Sequence, residues 1–274
     1  MALNDAPLGK TSDYPASYNP GLLFPVAREE NRRRLGLDDG RWRWFGEDLW
    51  QAWEISWLRP GGVPEVAWAE IVFPAASPSI IESKSMKLYL NSLNQAVYSS
   101  RDQVAETITQ DLSSACGGAV QVTLLSVDES GKAVGRPRGF ELIDNEPVSD
   151  VVYDYAPDSL SASDGGGIVT EHLCSHLLKS NCPVTGQPDW ATLLISYTGR
   201  KIDRAGLLRY VVSFRQKQDF HEHCVETVFT DLMSRCKPES LTVRARYTRR
   251  GGLDINPWRS TEAGRDAGPR LIRQ

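Results

Sequence analysis

Hydrophobic and polar positions alternate in blocks that predict strands followed by two helices in the first half of the chain. Two β-prone apolar runs flank the turn residues Pro60-Gly61-Gly62, and a later run alternates as a third strand. Helical periodicity brings Val104, Ile108 and Leu112 onto one face, and Gly117 follows as a stop signal. The predicted strands are 50–58, 66–73 and 120–127, and the predicted helices are 85–95 and 100–116.

The second half repeats this order of elements. Strands are predicted over 168–177, 190–197 and 241–247, and helices over 203–214 and 220–236. The stretch 157–167 is rich in Ser, Asp and Gly and reads as a linker. Residues 1–40 are polar and contain prolines, which predicts an N-terminal arm.

An internal repeat relates the two halves. The pattern E-T-x-x-x-D-L-x-S-x-C at 106–116 recurs at 226–236 with a constant offset, which indicates a tandem duplication. We therefore predict an α+β protein with an arm (1–40), a first module (41–156) and a second module (157–274). Each module is expected to run strand-strand-helix-helix-strand-strand.

Composition narrows the functional classes. The 274 residues carry a net charge of −4, which argues against a protein that coats nucleic acid. No apolar run approaches a membrane span, and the N-terminus lacks the features of a secretory signal. Five cysteines without framework spacing fit a reducing compartment. We expect a cytoplasmic enzyme that binds neither membrane nor nucleic acid directly.

Cys182 is the strongest candidate for chemistry. It opens a loop that contains two prolines and a glycine and that delivers Asp189 seven residues later. A nucleophile and a proton donor at one site make covalent catalysis possible. The polar flanks predict an accessible thiol, and burial of Asp189 between Pro188 and Trp190 would favour its protonated form. The alternatives are a buried structural cysteine and an aspartate that merely ends a turn.

Two further segments place charged side chains at predicted helix starts. Glu222 follows His221 there, and its carboxylate could accept a pair of hydrogen bonds from the N–H/NH₂ edge of a guanine-type ring. Complementing the helix dipole is the alternative role. The stretch 82–89, E-S-K-S-M-K-L-Y, and the basic loop 249–252 suit phosphate oxygens, although either could be a solvated charge cluster.

Neither a Rossmann nor a P-loop fingerprint occurs in the chain. His172 and His176 could join Cys182, or His221 and His223, in a zinc site. That possibility stays open as an alternative to a metal-free site.

The motifs in this order resemble the two-module type of NADPH-dependent 7-cyano-7-deazaguanine reductase, the nitrile reductase of queuosine biosynthesis. The resemblance rests on E-S-K-S-x-K-L-Y at 82–89, the cysteine–aspartate loop, Phe220-His221-Glu222 and Arg249-Arg250-Gly251-Gly252. It covers essentially the whole chain. It implies the tunnelling fold, in which modules assemble into barrels, and a homodimer.

The resemblance also implies roles for individual residues. Cys182 would attack the nitrile carbon to give a thioimide, Asp189 would protonate the nitrile nitrogen, and His221 would assist proton transfer. Two NADPH would reduce the substrate to 7-aminomethyl-7-deazaguanine, an intermediate of tRNA modification. The remaining implied residues bind substrate (Glu82, Ser83, Phe220, Glu222) or NADPH (Ser83, Lys84, Ser85, Lys87, Arg249, Arg250, Gly251).

Two other functions compete with this one. A zinc-dependent cyclohydrolase would share the tunnelling fold and would use the cysteine and histidine inventory. A non-catalytic purine- or pterin-binding module would need the carboxylates alone, but such a module has no use for an exposed thiol.

Overall fold

The computed structural model describes residues 17–128, 135, 137–163, 165, 167–264 and 268–274. It is a mixed α+β structure with these elements in chain order: β1 (Pro25–Ala27), α1 (Glu29–Leu35), β2 (Phe45–Leu58), β3 (Pro64–Pro74), β4 (Ser79–Ile81), α2 (Ser83–Ser92), α3 (Arg101–Cys116), β5 (Gln121–Leu125), β6 (Glu141–Leu142), β7 (Ile168–Asn181), β8 (Pro188–Arg200), α4 (Arg204–Ser213), α5 (His221–Arg235), β9 (Ser240–Tyr247) and β10 (Leu253–Ser260).

The chain divides into two compact units. Unit 1 comprises Met1–Glu30, Asp48–Ala133 and Arg249–Ile255, and unit 2 comprises Asn31–Glu47, Val134–Thr248 and Asn256–Gln274. Within the part of the chain that the structure describes, no helix is long and apolar enough to cross a membrane.

Unit 1 packs α2 and α3 against a sheet in which β3 lies between β5 and β2. Helix α3 begins where the Ser100 hydroxyl accepts the Gln103 N–H, and it ends at Gly117, whose φ of 73° is left-handed. Val104, Ile108 and Leu112 are buried on its inner face, as the periodicity predicts. In the described residues of this unit, one strand, β5, follows the two helices before the chain leaves the unit.

Unit 2 is built on the long antiparallel hairpin β7–β8, with β9 paired to β8 and a short β6 parallel to β7. A register shift lies between Ser175 and Leu178. Helices α4 and α5 cover one core, and 11 of the 15 residues of α5 are buried. The core positions the start of α5 beside the hairpin, because Asn181 hydrogen-bonds with Lys217 and Asp219.

The two units share a hydrogen-bonding frame around Asp111 and Asp231, which the sequence repeat relates. In each unit two tyrosines donate to one aspartate of the second helix: Tyr18 and Tyr89 to Asp111, Tyr155 and Tyr210 to Asp231. The N-cap roles match as well, because Glu82 begins α2 and Asp203 begins α4 with carboxylates that accept two backbone N–H groups each. These shared contacts support the duplication.

The predicted module order includes a second strand after the helices, which β10 supplies, but no range was predicted for it; β4, β6 and the elements within residues 17–40 were not predicted. Strand β10 is entirely buried, yet it contains Asp254, Asn256 and Pro257, which are poor strand formers. The described part of the expected arm includes β1 and α1, and Leu37 belongs to the core of unit 2. The boundaries at residues 40 and 156 remain predictions.

Candidate active site

The end of the β7–β8 hairpin holds Cys182 in a fixed loop. The Asn181 N–H donates to the Lys217 carbonyl, and the Asp219 N–H donates to the Asn181 carbonyl. The loop closes through Cys182 N–H to Gln187 O at 2.9 Å and Gly186 N–H to Cys182 O at 3.0 Å. Gly186 has a φ of 68°, so the turn needs a residue that tolerates left-handed backbone.

The prediction that Cys182 is accessible was wrong. The residue is 3% exposed, because β7 continues to Asn181 and the neighbouring segment 217–219 covers the turn. Local polarity could not reveal this, since the covering segment lies far away in sequence. A reactant that reaches Cys182 must therefore enter a largely dry site, where charge interactions are strong.

Asp189 stands directly across the hairpin from Ser180 and is 6% exposed. Cys182 directly follows the last residue of β7, and its N–H donates to the carbonyl of Gln187, two residues before Asp189, so Cys182 and Asp189 flank the same turn. Asp189 Oδ2 is 3.3 Å from His221 Nε2. The structure thus brings the three expected catalytic residues to one end of one hairpin in unit 2.

Helix α5 presents Phe220, His221 and Glu222 at its N-terminus. Phe220 is the N-cap residue, and Glu222 is buried in the first turn, where the helix dipole favours its negative charge. The His221 ring packs on Tyr247, with ring centroids 3.9 Å apart. The sequence predicts Tyr247 only as the end of the strand 241–247 and gives it no functional role.

Asp219 anchors this helix start and was also missed. Its Oδ1 accepts the Phe220 N–H at 3.0 Å and lies 3.1 Å from His223 Nδ1, while Oδ2 lies 3.1 Å from Lys217 Nζ. Burial opposes ionisation of Asp219, but the hydrogen bond and charge of His223 and the charge of Lys217 outweigh it and lower the pKa of this carboxyl. The spacing of Asp219 and His223, four residues apart at a helix start, was the available signal.

The other four cysteines are buried free thiols. Burial, with the nearby charge of Asp144, raises the pKa of Cys174 to about 11, and burial raises the pKa of Cys224 and of Cys236 to about 12. Burial also raises the pKa of Cys116. All four stay protonated at neutral pH, so none of them is a ready nucleophile.

The E-S-K-S segment lies in unit 1, at the start of α2. Glu82 is fully buried, and its carboxylate accepts the N–H groups of Lys84 at 2.6 Å and Ser85 at 2.8 Å. The Ser85 hydroxyl donates to Glu82 O and accepts the Phe24 N–H. Both side chains therefore have structural tasks, and Glu82 Oε1 also accepts the Ser83 hydroxyl at 3.5 Å. Ser83 and Lys84 are partly exposed.

Lys87 and the late glycine loop meet in unit 1. A Cβ on Gly251 would lie 2.5 Å from Lys87 Nζ, so the loop touches α2. Both residues line a cavity of about 490 Å³ that also includes Trp53 and Asn91. The exposed Arg249 guanidinium lies 5.6 Å from the Trp53 ring centroid, and Arg250 is partly buried in the same loop.

The imidazole rings of His172 and His176 contact hydroxyl groups of the neighbouring strand. His172 Nδ1 lies 2.9 Å from the Ser196 hydroxyl, and His176 Nδ1 lies 2.9 Å from the Thr192 hydroxyl. Among the residues that the structure describes, no group of three His, Cys, Asp or Glu side chains could hold a metal ion.

Comparison with known proteins covers nearly all of the chain. Residues 14–124 match the family described as "Nitrile reductase, 7-cyano-7-deazaguanine-reductase N-term", and residues 188–266 match "QueF-like protein". A protein of Chromohalobacter salexigens named NADPH-dependent 7-cyano-7-deazaguanine reductase is 52% identical, over 99% of this chain and 98% of its own. The chain belongs to the NADPH-dependent 7-cyano-7-deazaguanine reductase family.

Other relatives agree with that membership. Proteins of the same name are 53% identical in Bordetella avium, over 95% of this chain and 94% of that protein, and 50% identical in Bordetella pertussis, over both full lengths. A solved structure of the archaeosine synthase QueF-Like in the apo form aligns with 37% of this chain and all of its own, with 15% identity and a TM-score of 0.31. That similarity is too low to carry an argument.

Proposed function

We propose that this chain reduces the nitrile of 7-cyano-7-deazaguanine to the aminomethyl group, using two NADPH, as a step in queuosine biosynthesis. Family membership supplies the reaction. The observation that carries the proposal is the placement of Cys182, Asp189 and His221 at one end of the β7–β8 hairpin. A nitrile is a poor hydride acceptor, and addition of sulfur converts it to a C=N bond that protonates readily.

Cys182 is the proposed nucleophile. Its S–H bond and one C≡N π bond break, the sulfur forms a bond to the nitrile carbon, and the nitrogen takes a proton, so that the thiol adds across the nitrile to give a thioimide. After the first hydride reaches that carbon, expulsion of the thiolate leaves an imine, which the second hydride and a proton convert to the amine. NADPH, when bound, supplies each hydride. The burial of Cys182 keeps water from hydrolysing the thioimide or the imine.

Asp189 is the proposed proton donor to the nitrile nitrogen. It lies near the start of β8, after the turn that begins at Cys182, and is nearly buried, so the carboxyl group would meet the substrate in a dry environment. His221, 3.3 Å away, would position this carboxyl group and pass protons to it. The two side chains together would serve both reduction steps.

Substrate recognition is assigned to four residues. Phe220 would stack on the deazaguanine ring, and Glu222 would accept its N–H/NH₂ edge through a carboxylate held by the first turn of α5. Glu82 and Ser83 complete the proposed set. The buried carboxylate of Glu82 is fixed in orientation by its hydrogen bonds to two backbone N–H groups, which suits recognition of a rigid ring.

Cofactor binding is assigned to the two basic segments of unit 1: Ser83, Lys84, Ser85, Lys87, Arg249, Arg250 and Gly251. The side chains present fit a phosphorylated dinucleotide, because Lys87 and Gly251 border a cavity large enough for part of it. Lys84 and Arg249 add positive charge that phosphate oxygens prefer. Ser85 is the weakest member, because its hydroxyl already binds Phe24 and Glu82.

The architecture proposed for this function is a tandem tunnelling fold with modules over 41–156 and 157–274. The repeated tyrosine–aspartate frame supports it. We propose a homodimer, since sheets of this type close by pairing modules. The proposed location is the cytoplasm. No direct contact with nucleic acid is expected of an enzyme that acts on the free base.

Absorbance at 340 nm tests the reaction, and intact-protein mass tests its intermediate. We expect two NADPH oxidised per nitrile, and a protein adduct of the nitrile when NADPH is omitted. Cys182→Ala should abolish both. Cys174→Ala, at another buried thiol of unit 2, should abolish neither. An adduct that persists in Cys182→Ala would refute the covalent mechanism, and ligand binding without NADPH oxidation would favour a binding module.

A further inference from the structure

Tyr247 packs against the His221 ring and belongs to none of the motifs that the sequence analysis identifies. It ends β9 and pairs with Ala191 of β8, two residues after Asp189. The next residue continues the ladder, because the Thr248 N–H donates to the Trp190 carbonyl at 2.9 Å. The ring of Tyr247 is therefore fixed relative to the strand that carries Asp189.

The Tyr247 ring is the surface on which His221 rests. The two ring centroids are 3.9 Å apart, with an interplanar angle of 35°. His221 Nε2 lies 3.3 Å from Asp189 Oδ2, close enough for an ion pair, but among the described residues no hydrogen bond of ordinary geometry reaches Nε2. Ring packing, rather than a network of hydrogen bonds, thus sets the orientation of this imidazole at Nε2.

The hydroxyl of Tyr247 is an unusual group for a protein core. The residue is 1% exposed, and its hydroxyl lies near the Ser180 hydroxyl and the Cys224 thiol, although none of these contacts gives the Tyr247 or Ser180 oxygen a partner of ordinary hydrogen-bond geometry among the described residues. Buried polar atoms of that kind need an explanation. Burial, and the nearby groups Cys224 and Asp189, raise the pKa of Tyr247 well above its ordinary value, so the hydroxyl stays protonated and does not act as a base.

We propose that Tyr247 is a positioning residue, whose ring holds the His221 imidazole against Asp189 so that a proton can be delivered to the substrate nitrogen. The inference rests on the proposed function, in which Asp189 and His221 handle that proton. A small displacement of a catalytic group can lower the rate by large factors, so the ring should matter more than the hydroxyl.

Two substitutions separate the ring from the hydroxyl. Tyr247→Phe keeps the ring and should retain kcat within about threefold, whereas Tyr247→Met should lower kcat about tenfold or more with little change in the KM for the nitrile. Phe229→Met is the matched control, because Phe229 is a fully buried ring on α5 in the same core. That variant should keep kcat at a temperature at which all variants are folded.

Proton NMR measures the contact itself. The chain has four histidines, so the His221 ring-proton resonance can be assigned by single substitutions. We expect an upfield ring-current shift in the wild type and in Tyr247→Phe, and its loss in Tyr247→Met. An unshifted His221 resonance in the wild type would overturn the proposal even if Tyr247→Met failed to fold.

The kinetic results also discriminate. A folded Tyr247→Met variant with wild-type kcat would refute the positioning role, and so would an equal loss of kcat in Phe229→Met. Adduct formation by the wild type with the nitrile alone is measured in parallel. If the wild type forms no adduct, the covalent mechanism is refuted. If the wild type forms the adduct and Tyr247→Met keeps the wild-type kcat, only the role of Tyr247 is refuted.

Discussion

Glu226 is a carboxylate in the middle of α5 that is 0% exposed. Its Oε1 accepts hydrogen bonds from Arg32 Nη2 at 2.8 Å and from Arg259 Nη2 at 2.9 Å. Asn31 contacts the other oxygen at 3.4 Å. This one carboxylate therefore links α1, α5 and β10 within unit 2, and α5 is the helix whose start carries His221 and Glu222.

Glu226→Gln should destabilise the protein strongly. The substitution preserves shape but leaves two nearly buried guanidinium groups without their shared negative partner, since the side chains of Arg32 and Arg259 are 6% and 0% exposed. Breaking a buried ion pair by removing one partner costs roughly 3–5 kcal/mol. At roughly 2–4 °C per kcal/mol for a chain of this size, the expected decrease in Tm is about 6–20 °C.

Thermal unfolding followed by circular dichroism measures this decrease, and the repeat supplies a matched control. Glu106 occupies the equivalent position in α3 but is exposed, so Glu106→Gln should change stability by less than about 0.5 kcal/mol. Combining Glu226→Gln with Arg259→Met should cost less than the sum of the single substitutions, because one stranded charge is removed. Equal Tm values for Glu226→Gln and Glu106→Gln would refute the reasoning.

Three further predictions follow from single residues. Gly186→Ala forces a side chain into left-handed backbone, so we expect the free energy of unfolding to fall by about 1–2 kcal/mol. Formation of the Cys182 adduct, followed by mass spectrometry, should also be slower. Gly264→Ala, where φ is not positive, should show neither effect. The pKa of Asp219 is lowered in the folded state. The stabilisation that ionised Asp219 provides is therefore present above its unfolded pKa near 4 and is lost as pH falls through the lower folded pKa. Asp219→Asn should make Tm depend less on pH in this acidic range, and an unchanged dependence would contradict the assignment. Lys87→Gln should raise the KM for NADPH severalfold and leave adduct formation intact, because that step needs no cofactor. Substitution of the exposed Lys201 by Gln is the control. Equal KM values for NADPH in the two variants would show that Lys87 does not bind the cofactor.

Helix α3 was predictable because its determinants are local. The i, i+4 spacing of Val104, Ile108 and Leu112, the Ser100 cap and the Gly117 stop all lie within one stretch of chain, and the structure reproduces them. The same holds for the loop that joins Cys182 to Asp189, because a hairpin brings its two ends together without help from distant residues.

The surroundings of that loop depend on register and could not be predicted. Cys182 is buried because segment 217–219 pairs with Asn181, and Tyr247 reaches His221 only because β9 pairs with β8 in a particular alignment. A shift of one residue would turn Tyr247 to the opposite face. Strand β10 escaped prediction for a related reason, since its buried polar residues are satisfied by tertiary contacts such as those of Arg259.

The duplicated frame shows how little the backbone alone determines the chemistry. In unit 1, the Leu58 N–H donates to Ala96 O and the Tyr98 N–H donates to Leu58 O, which is the arrangement that Asn181 makes in unit 2. The residue after Leu58 is Arg59, at the place where Cys182 stands in unit 2. Because the two hairpin ends share their hydrogen bonds and differ in side chains, the covalent chemistry that we propose would come from the thiol of Cys182 together with Asp189 and His221, and not from the backbone arrangement that unit 1 shares.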